Sequence, residues 1–289
     1  MESDIENGYN EFNIKTVKNL FYNIEKKIKE NVGLFFECIE KDNNNLIERF
    51  DYSRIKKTID RINSEEWIIE KNINANIYCG IGNIGACIKG KPDILLYLIL
   101  KALKTNNNIV LFEEEIHETS KMIVDIINKE CEKIGYNKTV KLCKYNSITD
   151  IVDGKFNIVI FINELQKYLD FSSRKQNVDK IIYSNYGTMD LYLEDKSMKE
   201  ELIATDDFIY KNEIEIEIHK NKDIKEVVKN INICNHNYCA VIFTKNKEYA
   251  YYFIKNVKAE KIFVNKNPKN DYEFTLKDEE LILDKEIFI

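Results

Sequence analysis

The stretch that decides the fold runs Asn76-Ile-Tyr-Cys-Gly80, Ile81-Gly-Asn-Ile-Gly-Ala-Cys-Ile-Lys-Gly-Lys91, Pro92-Asp-Ile-Leu-Leu-Tyr-Leu-Ile-Leu-Lys-Ala-Leu-Lys104, then Asn108-Ile-Val-Leu-Phe112. A short apolar run leads through a glycine-rich link to an apolar helix, and a second short apolar run follows. Pro92 suits the first turn of that helix, where its missing N–H has no intrahelical partner to lose. Short, continuous apolar runs separated by helices are the pattern of a parallel sheet covered on both faces.

Working outward, the same grammar continues. Thr139–Lys144, Asn157–Ile162 and Asp179–Ser184 read as further strands. Glu118–Ile134, ended by Gly135, and Glu164–Arg174 read as the helices between them. The crossovers are expected to be right-handed. Upstream, Ile14, Val17, Leu20, Phe21, Ile24 and Ile28 share one helical face, and a second helical stretch covers Leu46–Ile62. Downstream, Glu213–His219 alternates strictly, followed by helix Asp223–Ile231, strand Tyr238–Thr244, helix Lys247–Asn256 and strand Lys261–Val264. Phe274–Ile289 reads as one or two edge strands. The expectation is an α/β protein with a doubly wound, mostly parallel sheet. Residues 1–72 form a helical segment, 73–184 a Rossmann-like domain of the cofactor-binding type, and 185–289 a reduced second lobe.

Composition narrows the function classes. The chain has 289 residues, 44% hydrophobic and 32% charged, with a net charge of −6. That supports a sizeable core and offers no basic domain for nucleic acid. The longest apolar run, Ile94–Leu100, is far short of the ~18 residues a membrane span needs. The acidic N-terminus has no signal-like core, so a soluble, cytoplasmic protein is expected. Seven scattered cysteines without a CxxC pair, and three distant histidines, give no ligand spacing for a structural metal.

Gly80-Ile-Gly82-Asn-Ile-Gly85 matches the dinucleotide fingerprint G-x-G-x-x-G. In that fingerprint the last glycine lies in a helix whose N-terminus holds the pyrophosphate. Here Gly90 and Pro92 break such a helix, and the ribose-gripping acid would be Glu113, about eight residues beyond the usual spacing of ~20. Gly80, Gly82 and Gly85 therefore stand as weak cofactor candidates, and a loop with another job is the stronger reading.

The order of segments carries more. The strand, glycine loop, Lys91-Pro92, apolar helix and Leu103-Lys-Thr-Asn-Asn-Asn-Ile-Val-Leu111 resemble the cofactor domain of the aldehyde dehydrogenase superfamily. The gamma-glutamyl phosphate reductase branch is most similar, because a basic residue and Pro precede the helix there. Asn157-Ile-Val-Ile-Phe161 resembles the strand entering the family's F-T-G-S turn. Lys180-Ile-Ile-Tyr-Ser-Asn-Tyr-Gly187 resembles its E-L-G-G-K segment. Cys239-Ala-Val-Ile-Phe-Thr244 with Lys261-Ile-Phe-Val-Asn265 resembles its late "aIfT … v-x-v-N" stretch. The resemblance spans Asn74 to Pro268. It implies NAD(P) as cofactor, a catalytic cysteine, and oligomers assembled through C-terminal edge strands.

The functional positions depart from that pattern. The family's nucleophile lies between the E-L-G-G-K and "aIfT" segments, where only Thr188–Tyr238 intervenes here. The cysteines within reach are Cys234, beside His236, and Cys239. The general-base Glu falls on Ser184, and the family's Lys on Thr188, with Gly187 retained. The lysine that reaches the cofactor ribose falls on Phe112 or Glu113, in the acidic run Glu113-Glu-Glu115, which would repel phosphate. The F-T-G-S turn becomes Phe161-Ile-Asn163-Glu164. Weak cofactor candidates are accordingly Gly80, Gly82, Gly85, Lys91, Glu113, Asn163 and Gly187.

The remaining candidates read as ordinary structure. A Cys234–His236 thiolate pair needs irregular backbone, since residues two apart on a helix do not face each other. Cys79 and Cys87 read as small core residues, His117 as a solvated helix-opening residue, and Glu194-Asp195 as a polar turn. Trp67 reads as packing for the helical segment. The leading expectation is a shortened, degenerate aldehyde dehydrogenase-like protein without thiol catalysis, acting as a binding or assembly module. Its partner would be a second copy or another protein. The alternative is an NAD(P)-dependent oxidoreductase that reduces an aldehyde or acyl phosphate through Cys234 or Cys239. A third reading is a Rossmann protein using the three glycines.

Overall fold

Apolar periodicity sets the elements of the computed structural model. It describes residues 14–42, 52–65, 76–88, 92–174, 177–184, 188–194, 215–220, 223–233, 237–266, 268 and 276–286. The chain divides into two compact units. One comprises Met1–Ile160, Leu169–Ile182 and Leu276–Ile289, and the other Phe161–Tyr168 and Tyr183–Thr275.

In the first unit, helices α1 (Ile14–Glu30), α2 (Val32–Asp42) and α3 (Tyr52–Ser64) precede the strands. α1 and α3 turn their fully buried Val17, Leu20, Phe21, Ile24, Ile28, Ile55, Ile59 and Ile62 inward. α2 is an element the sequence reading had not separated. The described part of the second predicted helix, Leu46–Ile62, is α3. Trp67 lies outside the described residues.

Strand β1 (Asn76–Gly80) is followed at once by β2 (Asn83–Cys87), then α4 (Pro92–Lys104), β3 (Asn108–Glu113), α5 (Glu118–Lys133), β4 (Val140–Lys144), α6 (Ile148–Val152), β5 (Ile158–Ile162), α7 (Leu165–Ser172) and β6 (Lys180–Ser184). The sheet order is β4-β3-β2-β5-β6, with β2–β3 and β3–β4 parallel. The chain thus winds outward from β2 on one side and then on the other, as the doubly wound expectation requires. α4 is buried from Ile94 to Lys104, as a helix apolar nearly all round must be. α5 ends where Gly135 adopts φ +67: its N–H bonds to Glu132 O, and Tyr136 N–H bonds to Cys131 O, closing the helix.

A row of side chains fixes register at the amino ends of these strands. Asn108 Oδ1 accepts Thr139 N–H at 3.0 Å, and Asn108 Nδ2 donates to Asn83 Oδ1 at 3.0 Å. Asn157 Oδ1 accepts Asn83 N–H at 3.1 Å, and Asn157 Nδ2 donates to Asp179 Oδ2 at 3.0 Å. Each residue stands at or just before a strand of the sheet.

The C-terminal segment returns to this unit. β11 (Ile282–Glu286) pairs antiparallel with β1 as a two-stranded ribbon. A short 3-10 turn, Asp278–Glu280, carries Asp278 to Lys101 (2.5 Å) and Lys104 (2.8 Å), both also bound to Glu65 at 2.5 and 3.2 Å. Tyr97 Oη donates to Leu276 O and accepts its N–H, and Asn107 Nδ2 donates to Leu281 O at 2.8 Å.

The second unit holds β7 (Thr188–Leu193), β8 (Glu215–Lys220), α8 (Ile224–Ile233), β9 (Asn237–Phe243), α9 (Lys247–Asn256) and β10 (Ala259–Val264). All neighbours in its sheet, ordered β10-β9-β7-β8, are parallel. Tyr192, Ala240 and Ile242 pack with Ile224, Val227, Val228 and Ile231 of α8 and Phe253 of α9. β7 was not predicted: its Asp190 interrupts the apolar run, and it is accommodated because His219 Nε2 on neighbouring β8 lies 3.3 Å from Asp190 Oδ1. Asn246 caps α9 by accepting the N–H groups of Glu248 and Tyr249.

Candidate functional site

In doubly wound sheets ligands bind outside the carboxyl ends of the strands. The three glycines are elsewhere. Gly80 ends β1, Gly82 turns the chain just before β2, and Gly85 lies inside β2. Strand β2, and not a helix N-terminus, directly follows Gly82 and contains Gly85, and α4 begins only at Pro92, so the last glycine does not lie in a helix as the Rossmann fingerprint requires. Gly82 has φ +127, a conformation side chains rarely adopt, and a Cβ on Gly85 would meet the Phe156 ring at 2.8 Å. Lys91, Gly187, Cys234 and His236 lie outside the described residues.

Glu113 stands at the carboxyl end of β3. Its side chain is buried. Ser120 Oγ donates to Oε1 at 2.7 Å, His117 N–H donates to Oε2 at 3.2 Å, and His117 Nδ1 lies 3.3 Å from Oε2. His117 is therefore half-buried and bonded, not solvated, and the Glu113 carboxylate holds its pKa above the usual histidine value. The first N–H groups of α5 are taken as well: Asp42, at the end of α2, accepts from Glu118 (2.5 Å) and Thr119 (2.8 Å). Serine, histidine and carboxylate meet here, but the hydroxyl donates directly to the carboxylate and not to the imidazole, so the order is not that of a serine–histidine–carboxylate triad. The spacing 113, 117, 120 was a helix-entry signal the sequence reading missed.

In the second unit, Cys239 sits in β9 with no exposed surface. Burial pushes its thiol well up, and nearby Asp190 adds to the shift against Lys261. Cys87 and Cys131 are buried too, the latter pushed up to about 12. Cys79 lies in β1. Glu194 belongs to a joint rather than an open turn: its Oε2 accepts Lys245 N–H at 3.1 Å and the Thr244 hydroxyl. Asp195 lies outside the described residues.

Beyond the carboxyl end of β5, Asn163 takes φ +59, which asparagine tolerates better than most residues. Its N–H donates to Ser184 O at 2.9 Å. Its Oδ1 is buried and accepts no hydrogen bond among the described residues. Ser184 is buried, and its hydroxyl donates to Glu260 Oε1 of β10 at 3.1 Å. The Tyr168 and Tyr183 rings lie with centroids 4.9 Å apart at a tilt of 31°, and Glu164 pairs with Lys167 at 2.9 Å. Of the predicted cofactor positions, Glu113 ends β3 and Asn163 follows β5 of the five-stranded sheet, whereas Gly82 and Gly85 lie before and within β2 and Gly80 ends β1 of the two-stranded ribbon. Among the described residues no group of side chains could hold a metal ion, and no helix is long and apolar enough to cross a membrane.

This architecture has known counterparts. Gamma-glutamyl phosphate reductase of Thermotoga maritima superposes with a TM-score of 0.61 at 14% identity, covering 91% of this chain and 84% of that one. Aldehyde dehydrogenase 21 of Physcomitrella patens, in complex with succinate, gives 0.67 at 11% identity, with 95% and 86% covered. A probable aldehyde dehydrogenase from Listeria monocytogenes gives 0.67 at 9% identity, with 95% and 91% covered. The fold is that of the aldehyde dehydrogenases. No family model matches the sequence, and no curated protein aligns with it significantly. At these identities the likeness is one of fold alone.

Proposed function

We propose that this chain is an aldehyde dehydrogenase-like protein that has given up thiol-dependent catalysis and acts as a binding or assembly module. The observation that carries the reading is the state of Cys239. A fully buried thiol in a central strand, with its pKa raised, supplies no thiolate at neutral pH, and the thiolate is the nucleophile. Two further features support it. The resemblance puts a ribose-binding lysine at Phe112 or Glu113, and the Glu113 carboxylate is engaged by Ser120 and His117. Ser184 stands where it puts the general base. Only Thr188–Tyr238 separates the two segments between which the resemblance puts the nucleophile, and the one cysteine there is Cys234.

The test is titration of the purified chain with NADH and NADPH, followed by nucleotide fluorescence and melting temperature, beside an aldehyde turnover assay. The reading predicts no saturable binding up to millimolar nucleotide and no turnover. Turnover abolished by the double change Cys234→Ser, Cys239→Ser would establish the oxidoreductase instead. Assembly would be read independently, from sedimentation of the full chain over a range of concentrations.

A further inference from the structure

The two faces of α1 differ in character. Val17, Leu20, Phe21, Ile24 and Ile28 are fully buried. The opposite face presents Lys15, Lys18, Tyr22, Lys26 and Lys29, three or four residues apart and all exposed. At 1.5 Å per residue this stripe runs about 21 Å along the helix. Against its five lysines α1 carries two acids: Glu25, which is partly buried, and Glu30, which pairs with Lys27. α3 packs beside α1 and is basic as well, with exposed Lys56 and Lys57, together with Arg54 and Arg61, against Asp60 alone. The whole chain has a net charge of −6. Positive charge is therefore gathered on these two helices, and the excess of acid lies elsewhere in the chain.

The shape of the stripe narrows what would answer it. It is the outer surface of a single helix, so a small anion finds no enclosure there. The apolar side chains of α1 are spent on the core, so a partner helix finds no seam of anchors at helical spacing. The bases of α1 are all lysines, compact and strongly hydrated charges, without the arginine forks that grip single phosphates bidentately. A plane of many negative charges needs none of these features. Tyr22, 65% exposed in the middle of the stripe, is of the residue type that favours the headgroup level of a membrane. We propose that the outer face of α1 docks on an anionic lipid surface, lying against the headgroups without entering the bilayer core. This does not depend on whether a nucleotide binds at the strand ends.

The experiment is co-sedimentation of the full chain with vesicles, either of phosphatidylcholine alone or of equal parts phosphatidylcholine and phosphatidylserine, at low and at high salt. Binding is expected to the anionic vesicles only, and to be lost at high salt as screening requires. Lys15→Gln with Lys26→Gln should weaken it about thirtyfold, from about fivefold per lysine near the surface. The melting temperature should not change, because both residues are exposed. Lys225→Gln with Lys229→Gln, an equal change of charge at exposed positions of α8, should leave binding as it was. No sedimentation with anionic vesicles overturns the inference, and so does an equal loss from both pairs of changes. A single-stranded RNA bound more tightly than the vesicles would assign the stripe to another class of polyanion and overturn it too.

Discussion

Asp278→Ala tests whether the buried charges of the first unit hold the C-terminal segment in place. Asp278 faces two ammonium groups, Lys101 at 2.5 Å and Lys104 at 2.8 Å, whose side chains are 3% and 1% exposed. Their other carboxylate is Glu65, which is 23% exposed and within salt-bridge reach of Arg61 at 3.8 Å. Removing Asp278 leaves two buried cations sharing one half-buried anion. Breaking a buried pair from one side costs about 3–5 kcal/mol, because an uncompensated charge stays desolvated. Against a total stability of roughly 5–15 kcal/mol, that is a large fraction. The expected cost appears in urea unfolding followed by circular dichroism. It also appears as faster amide exchange over residues 276–286 and in β1, if the segment lifts off before the unit unfolds. The double change Lys104→Met, Asp278→Leu removes one charge of each sign and should recover most of the loss, since apolar replacement of a buried pair is often neutral. A single-variant cost below about 1 kcal/mol, or a double variant worse than the single, would refute the reasoning.

Three further outcomes follow from the same kind of reading. Gly85→Ala places a methyl 2.8 Å from the Phe156 ring and should cost about 1–3 kcal/mol in unfolding experiments, as overpacking does; an unchanged midpoint would show that Phe156 gives way. Asn108→Ala removes its bonds to Asn83 and to the Thr139 N–H and hydroxyl. Because these are exposed, the loss should be about 1–2 kcal/mol, and hydrogen exchange should rise first at the starts of β3 and β4. His117 has a raised folded-state pKa, so the stability its imidazolium adds is fully present below its ordinary value of 6.5. That increment fades as pH rises through the raised value. The pH dependence of unfolding should lose it in His117→Gln, and an identical profile for both proteins would contradict the Glu113 contact.

How much could be read from sequence depended on whether the cause was local. α4 starts at Pro92 and ends at Lys104 as expected, since proline opens it and the Thr105–Asn107 turn, with Asn106 at φ +59, closes it. Gly135 ends α5 for an equally local reason. β2 was hidden because Gly85, which reads as loop, is a strand residue whose missing side chain makes room for Phe156, 71 positions away in the chain. β7 was hidden because Asp190 looks wrong for an interior strand until His219 is placed beside it. Such long-range reasons leave no mark in a short window of sequence.

The candidate site divides along the same line. A strand or helix of this fold asks only for apolar residues at the right period, and many sequences meet that requirement. A cofactor site asks for one residue type at one position, and a single substitution ends it. Glu113 illustrates the difference. It still terminates β3 and is still buried, so the architecture tolerates it, and it turns its charge onto the chain's own His117 and Ser120. Asn163 keeps the left-handed turn after β5, yet presents a carboxamide oxygen where a glycine would present open space for a phosphate.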